Sequence, residues 1–177
     1  VYFIDNEDYF QRKHVLKDAK GNEFADNDER AIFFARGVLE TVVKLRWAPD
    51  LIHCSGWLTS LVPLYIKKAY NDNPLFVKSK VIYSVFHDDF KKPLDPNFRN
   101  KLKMNNIANK DTEIVEEPSY INLSKMAIQY SDAVIQGSPK VNSEILEYIK
   151  STEKPFLDYQ PETTYVDSYN ELYDKML

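Results

Sequence analysis

The chain has one cysteine, four glycines and three histidines in 177 residues, and each scarcity removes a class of chemistry. Cys54 alone can neither close an internal disulfide nor supply a thiolate metal cluster, so stability must come from a packed core, and a cytoplasmic location suits the composition. Gly21, Gly37, Gly56 and Gly137 cannot be written into a G-x-G-x-x-G or a Walker pattern, so no phosphate-cradling glycine loop is present. No apolar run approaches the roughly 20 residues that a membrane span needs. Basic charge is short too: 23 Lys and Arg against 27 Asp and Glu leave no positive field for a phosphate backbone or an anionic membrane, so nucleic acid and membrane are not expected partners. The opening VYFID is no signal peptide. It reads as a strand already under way, and residues upstream of it are expected.

What the sequence does contain is alternation. A chain of this length makes one compact core, so residues 1–177 are expected to form a single domain. VYFI (1–4) reads as a strand, followed by a polar loop through Gly21. ADNDERAIFFARGVLETVVKLRW (25–47) has helical apolar spacing, with Asp26 or Asn27 as N-cap and Pro49 as stop. LIHC (51–54) is a strand entering a Ser55–Gly56 turn, and WLTSLVPLYIKKAY (57–70) is helical despite Pro63. KVIYSVF (80–86) is a buried strand. A proline-punctuated stretch over 87–117 holds a short helix near 97–106. A helix over 119–131, a strand over 132–137 and a helix over 138–150 follow, the last with Ser138 as cap and Pro139 at its first position. PFLDY (155–159) can add a strand, and 164–177 forms an aromatic-striped helix expected to dock on the core. Strands alternating with helices predict an α/β fold, a parallel sheet sandwiched between helices in three layers.

In such sheets ligands lie beyond the carboxyl ends of the strands, so His53 to Gly56, the 86–90 segment and Gly137–Ser138 should meet on one rim. There His53 can act as a general base or ligand, or be a hydrogen-bonded core residue; no Ser/His/Asp set accompanies it. His87–Asp88–Asp89 can hold a cation or share a proton, or be a surface loop. Asp26 to Glu29 place polar groups at the positive end of a helix, where capping alone accounts for them.

Four stretches carry a family resemblance: DNDERAIFFARGVLE (26–40), WAPDLIHCSGW (47–57), SLVPLYIK (60–67) and YSDAVIQGSPKVNSEI (130–145). In this order they resemble the amino-terminal, acceptor-side domain of bacterial glycogen and starch synthases over most of residues 1–150, and most of all short synthase-like proteins of Bacteroidetes with a similar LDYQ…YNELYDK tail. The resemblance implies a Rossmann-like half of the two-domain GT-B glycosyltransferase fold. It implies transfer of glucose from ADP-glucose to an α-1,4-glucan, with no resident cofactor or metal. By motif position it places substrate contacts at Asp26, His53, Ser55 and Trp57.

The departures are specific. The family's histidine–aspartate pair is here Ser55–Gly56, and its strand-ending His–Asn reads Phe86–His87. The donor-binding carboxyl-terminal domain has no room between Lys150 and Leu177, so this chain alone is expected to be inactive. Two functions remain open: a synthase-like activity retained by the intact protein or completed by a partner synthase or donor-domain chain, and a non-catalytic glucan-binding or regulatory remnant.

Overall fold

The structure, a computed structural model, describes residues Val1–Leu177. Four strands form one sheet: β1 (Leu51–Ser55), β2 (Lys80–Val85), β3 (Ala133–Gln136) and β4 (Phe156–Leu157), in spatial order β1-β2-β3-β4 and all parallel. The register sets His53 opposite Ile82, Ser55 opposite Ser84, and Ser84 opposite Ile135. Helices α1 (Glu7–Phe10) and α2 (Asn27–Lys44) precede the sheet; α3 (Val62–Leu64), α4 (Phe98–Lys101), α5 (Tyr120–Gln129) and α6 (Ser143–Ser151) lie in the crossovers; α7 (Tyr165–Met176) ends the chain.

Strand order fixes the layers. Each crossover steps the same way across the sheet, and right-handed crossovers that all step one way put their helices on one face. Accordingly Cys54, Val81, Tyr83, Val85 and Val134 share one 30-residue core with side chains of α2, α3, α5 and α6. The alternate strand residues, Ile82, Ala133 and Ile135, face the other way, where α7 covers them with Leu172, flanked by Tyr169, Tyr173 and Met176. The result is an α/β fold with a thick helical layer above the sheet and a single helix below.

Several sequence expectations need correction. Val1–Ile4 is not a strand: it makes no backbone hydrogen bond to another segment, and Ile4 instead lies over Gly37 of α2, 3.2 Å from where a Cβ there would sit. High β-propensity without a neighbouring edge leaves an extended segment. The following loop contains α1, capped by Asn6, whose side chain accepts Tyr9 N–H at 3.0 Å. Helix α2 stops before Pro49, where Arg46 turns the chain at φ 51°.

Residues 57–70 are helical but mixed. A 3₁₀ turn (Trp57–Thr59) leads to α3, which holds Pro63 in its first turn where no N–H is needed, and a π turn over Tyr65–Ala69 follows. The helix near 97–106 is the single turn α4, followed by a 3₁₀ segment, Asn109–Val115. Helix α6 begins at Ser143 rather than Pro139. Ser138, preceding proline, is biased away from helix, while Asn142 supplies a working cap to Glu144 N–H at 2.9 Å.

Leu172 is the buried anchor of the lower layer, so Leu172→Ala is expected to cost about 2 to 3 kcal/mol of unfolding free energy, read from the denaturant midpoint. A change below about 0.5 kcal/mol, the size of a surface substitution, would mean that α7 does not hold the sheet.

Candidate functional site

Three strand ends meet at one rim. Gly56 N–H continues the sheet pairing to Ser84 O at 3.1 Å, and Gly137 N–H does the same to Val85 O at 2.8 Å. His87 N–H donates to Ser138 Oγ at 3.0 Å, which binds the loop after β2 to the loop after β3. Gly137 must be small, because a Cβ there would lie 2.6 Å from the Phe86 ring. Asp88 crosses to the β1 turn: one carboxylate oxygen accepts Trp57 N–H at 3.1 Å, and the other stands 2.8 Å from the Tyr120 hydroxyl at the start of α5. Beside this knot lies an open cleft of about 630 Å³, lined by Lys17, His87, Asp89, Lys91, Ser119 and Asn142 among others. No three His, Cys, Asp or Glu side chains are grouped as a metal-ligand set.

The amino-terminal segment closes one side of the cleft. Glu23 accepts the N–H groups of Lys91 and Lys92 at 2.7 and 3.1 Å. Arg30 of α2, 2 % exposed, reaches back to Tyr9 O at 2.9 Å and to Val15 O, with its guanidinium near the rings of Phe10 and Phe24.

The four candidate binding residues are placed differently from one another. Asp26 occupies the N-cap position of α2 without capping it. Its carboxylate is instead clamped by Arg12 at 2.7 and 2.6 Å, and that hydrogen-bonded guanidinium holds its carboxyl below the usual carboxylate range. Ser55 is exposed at the tip of β1. Trp57 is buried, its ring edge-on to Phe90 at 6.0 Å.

His53 faces the lower layer, with Nδ1 at 2.7 Å from the Tyr173 hydroxyl of α7 and Nε2 at 2.6 Å from Ser84 Oγ. Both ring nitrogens are therefore engaged in the fold. No hydrogen bond joins any two of the four residues. Cys54, on the opposite strand face, is buried, which pushes its thiol up to about 12 and leaves it unreactive. Of the side chains that hold the rim, Tyr120 and Arg12 carry no motif of their own, and Asp88, singled out with His87 and Asp89 as a cation or proton site, instead bonds Trp57 N–H and the Tyr120 hydroxyl.

The starch synthase catalytic domain family matches residues 1–155, and the chain belongs to it. It is 34% identical over 150 residues to the glycogen synthase of Chlorobaculum parvum, covering 82% of this chain and 29% of that protein. It is 42% identical over 97 residues to the glycogen synthase of Chlorobium luteolum, covering 54% and 20% respectively. Its fold is similar to the catalytic domain of starch synthase IV from Arabidopsis thaliana, solved bound to ADP and acarbose, with TM-score 0.57, 19% identity, and coverage of 75% of this chain and 29% of that one. The chain thus spans under a third of the length of these relatives.

Burial lowers the His53 pKa from its ordinary 6.5, and no carboxylate faces the ring to offset that. A histidine kept neutral in the fold takes up its proton more readily when unfolded. Its contribution is complete above about pH 6.5 and is lost as pH falls below that value. Melting temperature is therefore expected to decline as pH falls below about 6.5, and His53→Asn should flatten the decline. An unchanged slope in the variant would assign the effect to other groups.

Proposed function

We propose that the protein containing this chain acts on α-1,4-glucan as a glycogen/starch synthase-like protein, and that residues 1–177 are one Rossmann-like domain presenting the acceptor side. The observation that carries this reading is the family match across residues 1–155, which includes all three strand ends of the rim. On this reading a malto-oligosaccharide lies along the rim near the exposed Ser55, beside Asp26, His53 and Trp57. The family activity, glucose transfer from ADP-glucose without a resident cofactor, would require a donor-binding domain supplied by more chain or by a partner synthase. We place the protein in the cytoplasm, a reducing compartment that suits its single unpaired cysteine.

A second reading, a non-catalytic glucan-binding or regulatory protein, is favoured by His53, whose two nitrogens are both taken by Tyr173 and Ser84. An imidazole so engaged is free for a sugar only if α7 yields.

Few fixed polar groups compete with water here, and each hydrogen bond contributes only about 0.5 to 1.5 kcal/mol net. Calorimetry with maltoheptaose on residues 1–177 is expected to give a Kd on the order of millimolar, about 4 kcal/mol. The same protein given ADP-[14C]glucose and glycogen, with no other synthase, is expected to incorporate no label. Absence of heat up to tens of millimolar oligosaccharide, roughly ten times that Kd, would remove the glucan assignment. Incorporation above the no-enzyme control would show that the chain is itself a transferase.

A further inference from the structure

The corner between β1 and the 57–59 turn has room for one side chain. Gly56 lies at φ 72°, ψ 178°, a region that is essentially glycine-only, and a Cβ there would stand 2.8 Å from Asp88 Oδ2. The space is filled from across the sheet, since that same oxygen accepts Trp57 N–H. The other Asp88 oxygen meets a hydroxyl whose single proton faces two acceptors, because Tyr120 Oη is 2.8 Å from Asp88 Oδ1 and 2.6 Å from Phe86 O. The rings of Trp57, Phe90 and Tyr120 then stack edge to face in series behind the carboxylate, at 6.0 and 5.6 Å.

We propose that Gly56 and Asp88 are a mutually exclusive pair, and that Asp88 is the positioning residue of the rim. It holds the turn that turns Trp57 inward and leaves Ser55 outward. It acts through geometry, as an acceptor for Trp57 N–H and a neighbour of Tyr120, rather than through its charge. The consequence for ligand binding rests on the glucan reading above; the pairing itself does not.

Asparagine at position 88 keeps this geometry without the charge. Its amide oxygen can accept Trp57 N–H, its NH2 can donate to Tyr120 Oη, and the tyrosine proton is then free for Phe86 O. Alanine instead leaves the Trp57 N–H unpaired. Asp88→Asn is therefore expected to melt within about 2 °C of wild type and Asp88→Ala roughly 4 to 8 °C lower.

A double-mutant cycle tests exclusivity. Gly56→Ala should lower the melting temperature by a similar roughly 4 to 8 °C. The double variant Gly56→Ala/Asp88→Gly should melt above the level reached by adding the two single losses. Additive losses, or an Asp88→Asn protein that melts as low as Asp88→Ala, overturn the proposal.

Maltoheptaose calorimetry on the same proteins reads the positioning role. Affinity should be kept within about twofold, or 0.4 kcal/mol, in Asp88→Asn and fall severalfold in Asp88→Ala. Affinity lost in Asp88→Asn with its melting temperature intact would make the charge a ligand contact and overturn the geometric role. If wild type gives no heat, the glucan reading falls while the melting cycle still decides the pair.

Discussion

The one-way order of the four parallel strands is the constraint on which the rest of this structure depends. Had the chain reversed direction within β1-β2-β3-β4, right-handed crossovers would have distributed helices to both faces. Instead α3, α5 and α6 pile onto one side with α2, and the opposite face, bearing Ile82, Ala133 and Ile135, would meet water. One helix from the end of the chain resolves that problem. Its position also decides the environment of His53, because alternation along β1 sends Cys54 into the upper core and His53 toward α7. A residue with a possible chemical role is thereby made part of the device that closes the sheet.

A second constraint operates at the other end of the chain. Residues 7–25 contain little that could form a core of their own, and they are held by polar stitches to α2 and the rim. Arg30, Arg12–Asp26 and Glu23 supply these stitches. Below them Lys101 gathers Asp28 and Glu29 of α2 and Asp95 at 2.7, 3.0 and 3.0 Å. Burial works against the Lys101 ammonium, yet its hydrogen bonds to Asp28, Asp95 and Glu29 keep its pKa above that of an ordinary lysine. Acidic residues in a first helical turn need no partner beyond the helix dipole. Here they have one, and through it α2 is fastened to α4.

This distribution explains which parts could be read from the sequence. Strands β1, β2 and β3 and helices α2, α5 and α7 were legible because apolar periodicity records which face is buried, and burial is their main source of stability. The tail helix was legible for the same reason, from Tyr169, Leu172 and Tyr173. Ends and turns were not, because their partners are distant in sequence. Helix α5 has no glycine at its end; Lys154 caps it by donating to the carbonyls of Ile128, Gln129 and Ser131 at 2.8, 2.7 and 2.6 Å. Val1–Ile4 has strand composition without an edge to pair with. At the rim, the convergence of three strand ends followed from topology, whereas the roles of Asp88 and Arg12 depended on hydrogen bonds made across 31 and 14 residues.

The magnitudes separate what this rim can do from what the family does. A side chain that hydrogen-bonds one sugar hydroxyl offers about 0.5 to 1.5 kcal/mol, and a handful of them suffices for weak glucan binding. Moving a glucosyl group from a nucleotide diphosphate also demands donors fixed where charge develops, each worth about 3 to 4 kcal/mol, and two reactants held in alignment, worth about 7 to 11 kcal/mol. Those larger contributions come from surrounding the reacting atoms on all sides, which one open rim does not do. A sheet rim whose corner at Gly56 is filled by Asp88 offers contributions of the smaller kind. Catalysis on such a surface would have to come with the part of the cleft that closes over it.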